Sequence, residues 1–207
     1  MTEPGGMATT VEEIVPGIWR WSLLDDRIGT ESDAHAVAAE DGKVLIDPLP
    51  LERSTAAGLA PVTAICLTAS CHQRSAWRYR KAFGAKVYAP RDAPPTEEEP
   101  DIRYGDGDAL PGGLRAVHVP GPEAAHYAFL RAEAPGVLFC PDLLMRDDDG
   151  ALMLIPAAWH DDPAATRESV GRLLDLDFSV LCLDHGAPVL ENPHDALREA
   201  LTRDAGG

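Results

Sequence analysis

The chain has 207 residues, of which 45% are hydrophobic and 25% are charged, a composition typical of globular proteins. This length is enough for one well-buried domain, and no shift in composition divides it. We therefore expect a single domain over residues 1–207, with residues 1–12 as a disordered tail. The formal net charge of -16 repels phosphate backbones and anionic lipid, which argues against nucleic acid or a membrane surface as a partner.

The sequence also predicts a cytoplasmic location. No apolar run approaches the ~20 residues that a membrane-spanning helix needs, and residues 1–10 lack the basic and apolar parts of a signal peptide. The four cysteines are widely spread and form no Cys-x-x-Cys pair. Most of them lie in apolar runs, where cysteine behaves as a small hydrophobic residue.

In the first half of the chain, apolar periodicity predicts strands at 17–23, 35–49, 63–68 and 85–90. Asp41-Gly42 is expected to form a hairpin turn inside the second of these. The run at 63–68 is continuously apolar, which is typical of a strand buried on both faces. Residues 75–83 have helical spacing, and Gly84 is placed to end that helix.

The second half predicts further strands at 101–110, 114–121 and 178–186, and a hairpin at 125–144 with its turn at Ala134-Pro135-Gly136. A helix should begin at Asp162, with Pro163 at its first position, and another helix should cover 193–203. Because strands are followed by a helix in both halves, the pattern predicts a mixed α/β protein in which sheet packs on sheet with helices outside.

Six short stretches, taken in order, carry a family resemblance. They are VLIDP at 44–48, LTASCHQRS at 67–75, YGDGDAL at 104–110, VPGPEAAHYAF at 119–129, VLFCPDLL at 137–144 and LDHGAPV at 183–189. Together they resemble the metallo-β-lactamase fold superfamily, in its glyoxalase II-like branch. The resemblance implies a four-layer αββα sandwich of two mixed β-sheets, with a metal site at one edge of the sheets.

The loop at 67–75 departs from the family's metal-binding pattern. In the family this loop reads Thr-His-x-His-x-Asp-His, and its histidines and aspartate bind two metal ions. Thr68 matches that pattern, but the ligand positions fall on Ala69, Cys71, Gln73 and Arg74. The resemblance therefore implies that most of the family's metal ligands are lost from this loop.

Outside this loop, one of the family's metal-ligand positions is lost and others are retained. The family's Pro-Gly-His stretch ends here in Pro122, so that ligand is lost as well. Asp142 matches the aspartate that bridges the metals, His185 matches the last histidine, and Asp47 matches a landmark that binds no metal. The vestigial pocket implied by the resemblance consists of Cys71, His72, Gln73, Arg74, His126, Asp142 and His185.

Ligand counting gives competing functional hypotheses. A catalytic zinc ion takes three protein ligands and a water, so the first hypothesis is a metal-free pseudoenzyme or small-molecule binder. The alternative is a reduced, mononuclear hydrolase with one zinc on Cys71, Asp142 and His185, acting on a small ester, thioester or lactone. A third hypothesis is metal-free nucleophilic catalysis by Cys71 with His72 as its base. The sequence predicts no oligomeric state.

The same reasoning gives an expected environment for each residue. We expect Cys71 to be half-buried, His72 to be a partly exposed loop residue, and Asp142 to be nearly buried. Because a buried carboxylate needs a partner, Arg74 is expected to pair with Asp142 and to replace the positive charge of the metal. His126 is expected to be a hydrogen-bonded histidine at the start of a strand or a functional residue.

Overall fold

The structure is a computed structural model that describes residues 3–147 and 149–204. The chain separates into two compact units. The first contains the residues up to Gly105 together with Leu110–Gly112, and the second contains Asp106–Ala109 and the residues from Gly113 onward. This division does not test the expectation of a single domain, which stays a prediction.

The first unit is built on a seven-stranded mixed sheet in which the strands follow chain order. β1 to β4 pair antiparallel, whereas β4 to β7 pair parallel. The strands are β1 (Glu12–Val15), β2 (Ile18–Asp25), β3 (Thr30–Ala39), β4 (Gly42–Ile46), β5 (Val62–Cys66), β6 (Lys86–Pro90) and β7 (Ile102–Tyr104).

Two helices belong to this unit, α1 (Arg53–Ala57) and α2 (Ala76–Phe83). The predicted end of α2 is confirmed, because Gly84 has φ 70° and its N–H donates to the carbonyl of Arg80 at 2.8 Å. The helix buries Trp77 and Tyr79 in an apolar core that also contains Trp21. The apolar core of the first unit therefore lies on the sheet face that carries Trp21, where side chains of α2 pack against it.

The described residues of the predicted tail make several contacts with the first unit. Ala8 forms a parallel bridge with Leu51, and β1 begins at Glu12. The Glu3 carboxylate accepts hydrogen bonds from Ser75 Oγ at 2.5 Å and from the guanidinium of Arg78 at 2.8 Å. The described part of the tail is therefore attached to the rest of its unit by polar contacts.

The second unit contains a five-stranded sheet in the order β14-β11-β10-β9-β8, in which β9, β10 and β11 pair antiparallel and β11 and β14 pair parallel. β12 and β13 form a separate antiparallel pair that was not predicted. The elements are β8 (Ala109–Leu110), β9 (Leu114–His118), β10 (Tyr127–Arg131), β11 (Val137–Cys140), β12 (Leu144–Arg146), β13 (Leu152–Leu154), α3 (Pro163–Leu173), β14 (Val180–Leu183) and α4 (Pro193–Asp204).

The predicted start of α3 is confirmed at atomic level. The side chain of Asp162 accepts from the N–H of Ala165 at 3.0 Å, which satisfies one of the free donors of the first turn. Gly121 packs directly against this turn with φ 143°, and a Cβ at that position would overlap Thr166. The glycine of the Pro-Gly landmark is thus required by packing, independently of any metal.

Two large mixed sheets with few helices agree with the predicted fold class. The apolar core of the second unit lies between its sheet and its helices and includes Leu138, Val170, Leu181 and Leu197. No helix within residues 3–147 and 149–204 is long and apolar enough to cross a membrane.

Candidate functional site

Asp47 is the centre of a buried polar cluster in the first unit. It follows β4, Thr68 follows β5, and these strands are parallel neighbours, so both residues lie at the same edge of the sheet. The carboxylate of Asp47 is fully buried and accepts from the N–H of Thr68 at 2.8 Å and from the Thr68 hydroxyl. Charge-assisted hydrogen bonds of this kind offset the cost of burying the carboxylate.

His72 completes this cluster from a 3-10 turn at Ser70–Gln73. Its Nδ1 lies 3.2 Å from Oδ2 of Asp47 and 2.9 Å from the Thr68 hydroxyl. Because the hydroxyl hydrogen already points to Asp47, Nδ1 is the donor and carries the proton. The expectation that His72 is partly exposed was wrong, since the residue is buried.

Arg74, at a ligand position of the family, is a buried cation. Its Nη1 donates to the carbonyl of Asp33 at 2.8 Å and to the carbonyl of Asp47 at 3.1 Å. Only 4% of the residue is exposed. A guanidinium stays protonated in proteins and has no lone pair for a metal ion. The predicted pairing of Arg74 with Asp142 stays a prediction.

Two other changed positions of the loop, Gln73 and Ala69, have structural roles. Oε1 of Gln73 accepts from Trp77 Nε1 at 2.8 Å and from the N–H of Glu97 at 2.7 Å, which uses both of its acceptor sites. Ala69 is buried and has no ligand atom. Cys71 is exposed rather than half-buried. Of the loop positions that bind metal in the family, only Cys71 keeps a donor atom suited to a metal ion.

A buried polar row on β2 and β3 was missed by the sequence analysis. Arg20 pairs with His35 and Ser22 pairs with Asp33 across the strands, on the face opposite to Trp21. Asp33 Oδ1 accepts from the Ser22 hydroxyl and lies 2.7 Å from Nε of Arg20. The alternation of these polar residues within apolar strands was the available signal.

His35 in this row is held in its neutral form. Burial lowers the pKa of His35 from 6.5 to about 3, and the positive charge of Arg20 adds to the effect of burial. The Asp47 charge opposes the shift, and Arg74 reinforces it. The first unit therefore concentrates buried charge on one face of its sheet.

The second unit has its own Asp–His pair. Asp142 follows β11 and His185 follows β14, and these parallel neighbours place both residues at one edge of the sheet. Nε2 of His185 lies 3.1 Å from Oδ1 of Asp142. The side chain of Asp142 is 22% exposed, so the expectation of near-complete burial was wrong for this residue.

Other polar residues surround this pair or lie further along the same unit. The pKa of His160 is lowered by burial, an effect that is opposed by the charge of Asp142 and a backbone hydrogen bond to it. Asp184 is buried next to His185 in the sequence, whereas Trp159 is 55% exposed. His126 is buried immediately before β10, and the expectation of a hydrogen-bonded or functional histidine stays a prediction.

Backbone strain coincides with several of these residues. Asp47, Arg74 and Asp142 have φ values of 45°, 35° and 43°, in the region that favours glycine. Residues held in this region typically cost about 1–3 kcal/mol and occur often at functional sites. The surrounding structure therefore holds these residues in an unfavourable backbone conformation, in the first unit and in the second.

Both units retain residue types that bind zinc or iron. They are Asp47, Cys71 and His72 in the first unit and Asp142, Asp184 and His185 in the second. The loop after β5 does not fit the family's own metal centre, because its ligand positions hold Ala69, Gln73 and a buried cation. Donor atoms are present, but the family's arrangement of them in this loop is not.

Solved structures of known proteins share this fold. A metallo-β-lactamase family protein, TTHA1429 from Thermus thermophilus, is 18% identical with a TM-score of 0.71, and the match covers 94% of this chain and 81% of that one. A metallo-β-lactamase from Erythrobacter litoralis is 17% identical with a TM-score of 0.72, covering 98% and 94%. TTHA1623, in a di-iron-bound form, is 26% identical with a TM-score of 0.61, covering 84% and 92%.

No curated protein sequence matches the chain significantly. The model of the metallo-beta-lactamase superfamily matches residues 13–203, which is nearly the whole chain. This agrees with the two mixed sheets and with the order of the landmarks that carried the resemblance. The chain belongs to the metallo-β-lactamase superfamily.

Proposed function

We propose that this protein works without the family's dinuclear metal centre and binds a small polar molecule. With respect to metal-dependent hydrolysis it is then a pseudoenzyme. The observation that carries the proposal is the buried guanidinium of Arg74, which is fixed by two backbone carbonyls at a position where the family has a histidine ligand.

Electrostatics supports this proposal. A divalent ion and a guanidinium ~5 Å apart repel each other by roughly 7 kcal/mol at an effective dielectric constant of about 20. Since Arg74 cannot release its proton, a metal ion at this loop would have to overcome that repulsion. Ala69 and Gln73 offer it no additional ligand, as Ala69 has no donor atom and the amide oxygen of Gln73 is already used twice.

The polar groups at the strand ends support the binding of a small molecule. In open α/β sheets, ligands bind outside the carboxyl ends of the parallel strands. Asp47 and Thr68 lie at that edge and orient His72, and the exposed Cys71 lies beside His72 in the sequence. These groups place a thiol and polar side chains near the fixed cation of Arg74, which suits a small polar or anionic ligand. A cytoplasmic location remains part of the proposal.

Thermal unfolding in the presence of EDTA and of zinc tests the absence of a metal site. We expect the same melting temperature in both. A zinc ion that bound only the folded chain would stabilise it by about 2.7 kcal/mol at a hundredfold excess over its dissociation constant, so a zinc site would be seen as a higher melting temperature. A rise in melting temperature with zinc would overturn the proposal. Loss of that rise in the Cys71→Ser variant would identify Cys71 as one of the zinc ligands.

A reduced-site hydrolase is the second candidate, and the Asp142–His185 pair favours it. Their 3.1 Å contact brings together two groups that retain ligand atoms, and Cys71 keeps a thiol. In this reading one zinc ion would be held by Cys71, Asp142 and His185, and the substrate would be a small ester, thioester or lactone. Ester hydrolysis that EDTA abolishes and zinc restores would favour this candidate over the metal-free one.

A further inference from the structure

Residues 3–9, which we call the strap, join three separate parts of the first unit. Gly5 donates its N–H to Oδ1 of Asp26, in the turn between β2 and β3, at 3.0 Å. Ala8 forms two backbone hydrogen bonds of 2.9 Å with the segment that follows β4. Glu3 contacts the start of α2. The strap therefore connects parts of the chain that are not neighbours in the sequence.

The first turn of α2 carries positive rather than negative charge. Within residues 75–83, all of which the structure describes, the N-cap Ser75 forms no side-chain capping bond and no acidic residue occupies the first turn. The buried cation of Arg74 precedes this turn, and Arg78 lies in it. Positive charge is unfavourable there, because the free N–H groups at a helix N-terminus already carry partial positive charge.

Glu3 supplies a negative charge to this end of the helix. Its Oε1 accepts from the hydroxyl of Ser75 at 2.5 Å, and its Oε2 lies 2.8 Å from Nη2 of Arg78. Ser75 is buried, so little water is present to replace the carboxylate. The N–H of Ser75 donates to the carbonyl of Pro48 at 3.0 Å, which fixes the residue that follows Arg74. The carboxylate of Glu3 therefore stabilises the junction between the loop after β5 and α2.

We propose that the strap regulates the loop after β5, at residues 70–74, by holding it in one conformation. While Glu3 is bound, the loop and the first turn of α2 stay ordered, and when Glu3 leaves, both open locally. Residues 5–7 are exposed, so Glu3 can leave while Ala8 keeps its backbone hydrogen bonds. The regulatory consequence rests on the proposed function, because this loop carries part of the proposed binding site.

Hydrogen–deuterium exchange of the intact protein at pH 7 tests this proposal. Glu3→Gln removes the charge and keeps the shape of the side chain. Because charge-assisted hydrogen bonds are about twice as strong as neutral ones, we expect the amides of residues 70–79 to exchange about tenfold faster than in the wild type. The amides of α4 are the reference and should be unchanged. An equal rise in α4 would indicate a general loss of stability and would overturn the local role.

Two further variants separate the strap from its charge. Glu52→Gln removes the same charge from an exposed position of the first unit and should leave exchange at residues 70–79 unchanged. Asp26→Ala removes the acceptor of the Gly5 N–H and should raise that exchange by roughly two- to fivefold. Unchanged exchange in Glu3→Gln would overturn the proposal. A rise in Glu3→Gln without one in Asp26→Ala would assign the effect to a single side chain, which also contradicts a strap.

The two proposals fail in different ways, because exchange is measured without metal or ligand. If zinc raises the melting temperature of the wild type, the metal-free function fails and the strap stands. If Glu3→Gln leaves exchange at residues 70–79 unchanged, the strap fails and the metal-free function stands.

Discussion

Each unit of this protein contains an aspartate–histidine pair at the carboxyl ends of parallel strands, and the two pairs differ in their surroundings. Asp47 is fully buried and is held by two donors of Thr68 besides His72. Asp142 is partly exposed and contacts His185 through one oxygen. The first pair is enclosed by hydrogen bonds, whereas the second retains contact with solvent.

This difference separates structural roles from ligand-binding roles. A carboxylate whose acceptor sites are filled by protein donors stabilises the local fold and fixes the orientation of its partner. A carboxylate that remains partly exposed keeps sites for a ligand. The buried carboxylate of Asp47 therefore stabilises the loop that follows β5, whereas Asp142 contributes less to the stability of its own unit.

The largest effect is expected from Asp47→Ala. Its loss leaves the Thr68 N–H, the Thr68 hydroxyl and the His72 Nδ1–H buried without their acceptor. Each buried donor left without its acceptor costs about 1–3 kcal/mol, so we expect a total loss of about 3–5 kcal/mol. The free energy of unfolding, measured by urea denaturation with equal m-values, should fall by that amount.

Asp142→Ala is the matched substitution in the second unit. Because Asp142 is partly exposed, we expect a loss at least about 2 kcal/mol smaller than that of Asp47→Ala. Equal losses in the two variants would show that the pairs are equivalent. The distinction between an enclosed and an open pair would then be wrong.

Acid is expected to lower the free energy of unfolding through the protonation of His35. The pKa of His35 is about 3 in the folded chain and 6.5 as a model value, so between these values the unfolded chain binds a proton that the folded chain does not. Stability is full above pH ~6.5 and should fall by up to about 1.4 kcal/mol per pH unit as the pH drops towards 3. Urea denaturation at several pH values measures this slope.

His35→Gln sharpens this pH prediction. The substitution removes the titrating group, so its stability should depend less steeply on pH between 6.5 and 4 than that of the wild type. If the free energy of unfolding falls with pH equally steeply in both proteins, groups other than His35 cause the acid sensitivity.

A smaller effect is expected within the loop after β5. Gln73→Leu removes the acceptor of Trp77 Nε1 and of the Glu97 N–H, and an unsatisfied buried donor costs about 1–3 kcal/mol. Cys71→Ser, two residues earlier and exposed, should change stability by no more than about 0.5 kcal/mol. If both variants unfold at the wild-type urea concentration, the network around Gln73 contributes nothing to stability.

Much of the fold follows from sequence patterns, and the reason is local. The Gly84 helix end, the Asp162 cap and the apolar runs of β5 and β14 depend on neighbouring residues only, and the sequence predicted all of them. Short elements such as β1, α1 and the β12–β13 pair were missed because a few residues carry too little periodicity. The order of the landmarks predicted the superfamily, which no single motif would have done.

The candidate site was less predictable because its properties arise from residues that are distant in the sequence. The burial of His72 depends on Asp47, 25 positions away in the chain. The positive φ of Arg74 results from the two carbonyls that its side chain reaches and from the turn before it. Sequence reasoning assigned the wrong exposure to Cys71, His72 and Asp142.

The smallest perturbation is chemical labelling of the native thiols. A maleimide in excess should modify one cysteine per folded chain, at Cys71, and all four after unfolding in urea, because the other thiols are buried. Peptide mapping identifies the labelled residue. Rapid native labelling of Cys140 or Cys182 would contradict the closed core of the second unit.

The most direct test of the central claim is the metal content of the wild-type protein. The protein should be produced with zinc supplementation, purified without a metal-affinity tag and analysed for zinc, iron and manganese. Because the cation of Arg74 stands at a ligand position and the neighbouring ligands are lost, we expect well under one metal ion per chain. One or two tightly held ions per chain would contradict the account.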